Sequence, residues 1–208
     1  MKHFIGYSDP KSGKDRTEAY ISDITLWQKH IPSFKAAIDA GASTIMINSS
    51  MINDVPVHSS YELLTDLLRN RLGFKGMIVT DWEDIIRLHE RHKIASTPRE
   101  AVKIAINAGI DMSMVPNNYS FCKHLVELVK AGEIAESRID ASVRRILVLK
   151  SNLGLFENPY PEKEAVKNFG LPEYKELALK SARESMVLLK NQNQVPVSYT
   201  HLRAHETA

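Results

Sequence analysis

The chain reads Gly73-Phe74-Lys75-Gly76-Met77-Ile78-Val79-Thr80-Asp81-Trp82-Glu83-Asp84 over residues 73–84, and this stretch decides the fold. The two glycines around its Phe-Lys pair indicate a turn. Met77 to Thr80 form a short apolar, partly β-branched run that is typical of a strand buried in a parallel sheet. The run ends at Asp81, with Trp82 beside it. Because α/β folds place their reactive groups at the carboxyl ends of parallel strands, Asp81 is a candidate for chemistry.

Asp81 has a second interpretation, because an Asp that follows a strand often caps the next helix. Position alone leaves the cap and the catalytic role open. Asp84, one helical turn further on, is interpreted as an acid at a helix start, where the helix dipole favours negative charge.

Helices and strands alternate along the rest of the chain. Strands are predicted around Phe4, Ile45, Met77 and Met112, and their ends lie roughly one βα unit apart, which is about 30 residues. Capping residues predict where the helices between them begin; they are Ser22, Ser60 and Thr97. Such alternation predicts a parallel sheet whose strand ends share one face.

Four strands are half the number in a closed (β/α)8 barrel, which usually needs about 250 residues. The strand at Phe4 also lacks a beginning. We therefore interpret residues 1–157 as the C-terminal half of a TIM-type barrel. A small doubly wound sheet is the alternative.

Beyond the barrel, Asn158-Pro159-Tyr160-Pro161 breaks the pattern, and a linker is predicted over residues 158–171. A helix is predicted over Pro172–Arg183, and Met186–Leu189 is strand-like. Residues 198–208 show no useful periodicity and are interpreted as a non-native tail.

Composition excludes several classes of partner. The 208 residues are 43% hydrophobic and 25% charged, which is ordinary for a globular protein, and the net charge of +2 does not predict a nucleic-acid or membrane partner. Cys122 is the only cysteine, so no internal disulfide is possible. The sequence has no Gly-rich phosphate loop, and no set of side chains matches a metal-ligand spacing, so no cofactor and no metal are expected.

The predicted strand ends carry polar residues of several kinds: Lys2-His3, Asn48-Ser49, Asp81-Trp82 and Pro116-Asn117-Asn118. Cations, amides, a carboxylate and an indole suit a sugar, because fixed donors bind hydroxyls and an aromatic face covers the ring. A retaining glycosidase also needs two carboxyls about 5 to 5.5 Å apart, one ionised and one protonated. The basic run Arg87 to Lys93 is interpreted as a solvated loop, and Met46 and Met114 as core residues.

The order of several motifs resembles the family 3 glycoside hydrolases, the β-glucosidase family. The motifs are Lys2-His3-Phe4, Asn53-Asp54-Val55-Pro56-Val57-His58, Leu72-Gly73-Phe74-Lys75-Gly76, Thr80-Asp81-Trp82, Ala108-Gly109-Ile110-Asp111-Met112, Ser137-Arg138-Ile139-Asp140, Arg144-Arg145-Ile146-Leu147 and Gly154-Leu155-Phe156-Glu157-Asn158-Pro159. Each is weak alone, but together they cover the chain from Lys2 to about Pro196.

The resemblance implies a role for six residues. Asp81 would be the nucleophile that forms a glycosyl-enzyme intermediate. Substrate-binding residues would be Lys2, His3, Met46, Ser49 and Trp82. The resemblance further implies a retaining exo-hydrolase acting on the terminal sugar of a β-glucoside or oligosaccharide, a periplasmic or secreted location, and a second α/β sandwich domain that begins at residues 172–197.

Two departures from the family pattern bear on the chemistry. Many relatives carry a Tyr where this chain reads Ile47-Asn48-Ser49-Ser50, so Asn48 or Ser49 would take its place beside Asp81. The acid/base is a Glu of the second domain in most relatives and a His of the loop Tyr7–Thr17 in one branch, and this loop has no His.

The sequence therefore predicts part of a β-glucosidase-like hydrolase that is inactive without the first half of its barrel and its second domain. One alternative is a non-catalytic carbohydrate-binding or scaffold barrel. Another is an aldolase-type barrel, for which Lys2 would be the only candidate Schiff-base lysine.

Overall fold

A computed structural model describes residues 1–192, and the predicted tail at residues 198–208 lies outside them. The strands of this part are, in chain order, β1 (Thr44–Met46), β2 (Met51–Ile52), β3 (Val55–Pro56), β4 (Met77–Trp82) and β5 (Met112–Met114). The α-helices are α1 (Asp23–Thr25), α2 (Ile31–Asp39), α3 (Asp84–Glu90), α4 (Pro98–Ala108), α5 (Ser120–Lys130), α6 (Glu136–Asn152) and α7 (Pro172–Glu184).

A parallel sheet in the order β1–β4–β5 forms the centre of the chain. Phe4 extends it with a parallel bridge to Ile47, just beyond β1. Ile47 donates its N–H to Val79 of β4, whereas Asn48 donates to the carbonyl of Phe4. Since successive N–H groups of a strand point to opposite sides, Phe4 lies on the side of β1 away from β4. The strands are thus adjacent in their sequence order, and the predicted α/β class with a parallel sheet is confirmed.

Helices bury the sheet because apolar side chains recur at helical spacing. Leu64 and Leu68 of the π-helical segment Glu62–Arg71 are fully buried and join one core with Ile45 and Ile78 of the sheet. The predicted caps Ser22, Ser60 and Thr97 are confirmed, because each hydroxyl accepts from the backbone N–H three residues later.

Two segments differ from the sequence pattern. Residues Ser49–Ser59 follow the strand predicted around Ile45 and have the polar composition of a loop, but they contain the antiparallel hairpin β2–β3, followed by a 3₁₀ turn over Val57–Ser59. Arg87 and His89 lie in α3, so the interpretation of the run from Arg87 as a solvated loop was wrong for both. The helix is explained by Ile85 and Leu88, which lie three residues apart on one face of α3 and are both buried.

Asp111 organises the opposite end of the sheet, where the strands begin. Its buried side chain is 0% exposed and accepts from Arg69 at 2.6 Å, from Ser142 and Arg145 at 2.7 Å each, and from the N–H of Ile78 at 2.9 Å. This Asp111 cluster links Glu62–Arg71, β4, β5 and α6.

The chain divides into two compact units, Met1–Pro159 and Tyr160–Ala208. In its described part the second unit contains a 3₁₀ helix, Lys163–Asn168, and α7. Met186–Leu189 forms no strand there, because no other segment of the described residues pairs with it. The assignment of residues 172–197 to a second domain stays a prediction. None of the helices over residues 1–192 has an apolar stretch long enough to cross a bilayer.

Candidate active site

Asp81 lies in β4, one residue before the strand ends, at the carboxyl edge of the sheet. Its side chain is 13% exposed, and its Oδ1 accepts from the N–H of Trp82 at 2.6 Å. The next helix begins at Asp84, after Glu83 in a left-handed conformation, and no side chain caps it. The helix-cap interpretation of Asp81 is therefore wrong, and its carboxylate is free to face the open edge.

Two basic residues, one of them a permanent cation, face the two oxygens of this carboxylate. Arg16 places Nη2 3.7 Å from Oδ1, and His3 places Nε2 3.8 Å from Oδ2. Burial lowers the pKa of His3, and the nearby charge of Asp81 opposes that shift without reversing it. Since a histidine with a lowered pKa is largely neutral at pH 7, Arg16 supplies the permanent positive charge at Asp81.

Arg16 reaches the site because the loop from Gly6 to Thr17 is fastened at several points. The ring of Tyr7 packs on His3 with centroids 4.6 Å apart, and its hydroxyl donates to Asp15. Arg91 donates to the carbonyl of Arg16, and the hydroxyl of Ser50 donates to the carbonyl of Thr17. The sequence analysis missed Arg16. The only sequence feature that could have indicated it is its place as a basic residue in the loop that follows Lys2-His3.

His58 lies behind the nucleophile candidate and was quoted only as part of a motif. It is 2% exposed, and its Nε2 accepts the backbone N–H of Asp81 at 3.4 Å. Burial is the main cause that lowers the pKa of His58 to about 3, against the opposing effects of Asp81 and a hydrogen bond to the Asn48 backbone. The ring is consequently neutral above about pH 4.

Asp84 is a second buried carboxyl group of this region. Its Oδ1 accepts from Ser49 at 2.8 Å and from Arg87 at 2.9 Å, while its Oδ2 lies 3.7 Å from Nε2 of His58. Burial raises the pKa of Asp84, and the contacts with Ser49 and Arg87 oppose the shift. Asp84 is indeed the first residue of a helix, as predicted, but it is buried rather than placed at the surface.

Asn48 and Ser49 do not take the place of the family tyrosine. Ser49 is 1% exposed and donates to Asp84, and Asn48 donates to the carbonyl of Ile5 at 2.7 Å and accepts from the N–H of Ser50. Within the described residues neither side chain is hydrogen-bonded to Asp81. The expectation that one of them is the partner of Asp81 is wrong, because the turn after β1 directs both inward.

The remaining predicted site residues lie along the same edge. Lys2 is exposed beside His3, and Met46 is half-buried at the end of β1, opposite Val79. Trp82 is 46% exposed and follows Asp81 directly. Over residues 1–192 no group of three or more His, Cys, Asp or Glu side chains is arranged to hold a metal ion.

Comparison with known proteins agrees with this architecture. The model of the glycosyl hydrolase family 3 N-terminal domain matches residues 1–149. A lysosomal β-glucosidase of Dictyostelium discoideum is 52% identical over 197 residues, which cover 93% of this chain and 24% of that protein. A putative β-xylosidase of Formosa agariphila is 40% identical over 198 residues, which cover 93% of this chain and 26% of that protein.

A solved β-glucosidase structure from Erythrobacter marinus superposes with a TM-score of 0.83 at 34% identity, covering 93% of this chain and 26% of that one. The chain thus spans about a quarter of the length of the relatives it matches. The match over residues 1–149 and the identity to these relatives show that the chain belongs to glycoside hydrolase family 3.

Proposed function

We propose that the chain is part of a retaining, exo-acting β-glycosidase in which Asp81 attacks the anomeric carbon of a terminal β-linked sugar. The observation that carries the proposal is the Asp81 carboxylate at the carboxyl edge of β4, with Arg16 3.7 Å and His3 3.8 Å away. A nucleophile must stay ionised, and a guanidinium at this distance favours the ionised form. The β-glucosidase and β-xylosidase names of the relatives support the substrate class.

In this proposal the sugar lies over Asp81, between the imidazole of His3 and the indole of Trp82. His3, Lys2 and Arg16 offer hydrogen-bond donors to its hydroxyls, and the exposed face of Trp82 covers its apolar side. Met46 at the neighbouring strand end would limit the pocket. Ser49 contributes indirectly, since its hydroxyl holds Asp84 beneath the site.

The mechanism has two displacement steps. A carboxylate oxygen of Asp81 forms a bond to the anomeric carbon while the glycosidic oxygen leaves with a proton from a general acid. Water then attacks the same carbon, gives its proton to the conjugate base, and releases Asp81. Asp84 is unsuited as the acid, because its carboxyl is buried and held by Ser49 and Arg87. We propose that the acid/base belongs to a part of the protein outside residues 1–192.

The sequential strand order from Phe4 through β1 and β4 to β5 supports one arc of a (β/α)8 barrel as the parent fold. A doubly wound sheet reverses its strand order at a switch point, and this sheet does not reverse over the described residues. We therefore propose that a first half-barrel and a second domain of the same protein complete the site.

Labelling of the full-length protein with a 2-deoxy-2-fluoro-β-glucoside, followed by peptide mass spectrometry, tests the nucleophile. We expect a fluoroglucosyl adduct on the peptide that contains Asp81, and none in Asp81→Asn, whose activity should fall by more than about 10³-fold. Asp140→Asn on the exposed surface of α6 is the control. A label elsewhere would refute the assignment of Asp81, and sugar binding with neither label nor hydrolysis would favour the non-catalytic alternative.

The purified 208-residue chain should show no more than trace turnover of aryl β-glucosides and β-xylosides beside the full-length protein. Robust turnover by the chain alone would contradict the proposed division of the site.

A further inference from the structure

The backbone N–H of Asp81 lies where the pairing of β4 with β5 is interrupted. This pairing shifts register between Val79 and Trp82, and neither Thr80 nor Asp81, the two residues inside the shift, has a paired residue on β5. Met114 of β5 donates its N–H to the side-chain hydroxyl of Thr80 at 2.8 Å and accepts from the N–H of Glu83, one residue past β4. The regular ladder is therefore replaced by side-chain contacts at the position of Asp81.

His58 supplies a side-chain acceptor for this N–H. Its Nε2 accepts the N–H of Asp81 at 3.4 Å, across 23 positions of sequence. A partly buried N–H without an acceptor is destabilising, so this contact satisfies a group at the point where β4 must hold the proposed nucleophile. The distance of 3.4 Å is long for a hydrogen bond.

The contact with Asp81 assigns the acceptor role to Nε2. A neutral imidazole has one donor and one acceptor nitrogen, so a ring whose Nε2 accepts from the Asp81 N–H carries its proton on the other nitrogen. The groups that face the ring are Asp81, the buried Asp84 at 3.7 Å, Arg87 and His92.

From these contacts we propose that His58 is a positioning residue for the nucleophile. Its Nε2 holds the Asp81 backbone at the register shift and so sets the distance between the Asp81 carboxylate and the anomeric carbon of the sugar. The proposal rests on the proposed function of Asp81 and adds a residue that does not itself touch the substrate. Since a displacement of about 1 Å in a reacting group costs about 10²-fold in rate, a buried residue of this kind acts on the rate of attack rather than on binding.

The test uses three variants of the full-length protein. His58→Gln keeps an acceptor near the position of Nε2, whereas His58→Asn is too short to reach and His58→Leu has none. His124→Leu on α5 is the control for loss of a partly buried histidine, one that faces Glu127 of its own helix. The measured quantities are the inactivation rate constant ki and the dissociation constant Ki of a 2-deoxy-2-fluoroglucoside with a good leaving group, together with the melting temperature.

We expect ki to fall about 10- to 100-fold in His58→Leu and His58→Asn, with Ki changed less than about 3-fold. His58→Gln should recover ki to within about 5-fold of wild type, and His124→Leu should match wild type. Equal ki values for the Gln and Asn variants, or a wild-type ki in His58→Leu, would overturn the positioning role. If the Leu variant does not fold, the comparison of Gln with Asn decides. A wild-type protein that takes no label on Asp81 refutes the proposed function itself, which is a separate outcome.

Discussion

At the residue scale, the permanent cation beside Asp81 comes from a loop and not from a strand end. Arg16 has a backbone φ of 56° and an Nε that is buried with no hydrogen-bond partner among the described residues. These features show a side chain held by the loop around it rather than by its own local preference. The guanidinium lies near two carboxylates, with Nη2 3.7 Å from Oδ1 of Asp81 and Nε 4.0 Å from Oδ2 of Asp15.

Arg16→Ala in the full-length protein should lower kcat/KM for aryl β-glucosides about 10-fold, which corresponds to about 1.4 kcal/mol of lost transition-state stabilisation. The physical reason is the loss of the positive charge that favours ionised Asp81 and of donors to the sugar. Arg16→Lys should lower kcat/KM less than Arg16→Ala does, because lysine keeps the positive charge although it lacks the planar guanidinium and its paired N–H donors. Steady-state kinetics on both variants measure this, with Lys14→Ala in the same loop as control; a wild-type kcat/KM in Arg16→Ala would contradict the assigned role.

His58 also predicts how stability depends on pH. Burial lowers its pKa from 6.5 to about 3, so between these values the unfolded chain binds a proton that the native chain does not. The contribution of His58 to stability is complete above about pH 6.5 and is lost as the pH falls toward 3, by at most about 1.4 kcal/mol per pH unit. The raised pKa of Asp84 acts in the opposite direction, because its proton is bound more tightly in the native state.

Urea unfolding midpoints of wild type and His58→Gln at pH 7, 6 and 5 isolate the contribution of His58 to the pH dependence of stability. The wild type should lose more stability over that range than the variant, since the variant lacks the titrating ring while Asp84, Arg87 and His92 are unchanged. Parallel curves for the two proteins would show that His58 is not buried as a neutral group.

At the scale of elements, β4 depends on a close approach before the strand begins. A Cβ on Gly76 would lie 2.1 Å from the carbonyl oxygen of Ser43, which accepts from the N–H of Met77 as β1 and β4 start to pair. Gly73 differs, because it has a φ of +76° with open space around it. The two glycines that indicate a turn in the sequence are thus needed for different reasons: Gly76 because no Cβ fits beside Ser43, and Gly73 because of its left-handed backbone conformation.

Gly76→Ala should lower the free energy of unfolding by about 3 kcal/mol, because backbone atoms of Ser43 must move for the added methyl to fit. Gly73→Ala is the matched control and should cost about 1 kcal/mol, since only its left-handed conformation is strained. Chemical denaturation of both variants compares them, and equal losses would contradict the steric argument.

At the scale of the whole molecule, the Asp111 cluster joins segments that are far apart in sequence. Three of the family motifs, those that contain Asp111, Arg138 and Arg145, meet in it, and Arg69 adds a further segment. Burial, with Asp111 opposing it, lowers the pKa of Arg69 to about 10, which still leaves the side chain charged at pH 7. One buried carboxylate therefore neutralises part of a group of three guanidinium ions at the end of the sheet away from Asp81.

Asp111→Asn should reduce the free energy of unfolding by about 3–5 kcal/mol, because it leaves three partly buried cations without their counter-charge. Asp140→Asn, on the exposed face of α6, is the control and should change stability by less than about 0.5 kcal/mol. Urea denaturation measures both; a wild-type midpoint in Asp111→Asn would show that the cluster does not hold the sheet to α6.

The sequence by itself determined the family, the α/β class, the helix caps and Asp81 as the candidate nucleophile. The class, the caps and the position of Asp81 depend on local patterns: apolar periodicity, a hydroxyl three residues before an N–H, and a carboxylate at the end of a buried strand. The family and the nucleophile role of Asp81 depend on the resemblance of motifs along the chain. Only the tertiary structure decided the position of Arg16 beside Asp81, the burial of a neutral His58 behind Asp81, the burial of Ser49 and Asp84, and the ion pairs of Asp111. Each of these depends on distances between segments about 20 to 65 residues apart, and desolvation and charge pairing arise only when the fold brings such segments together.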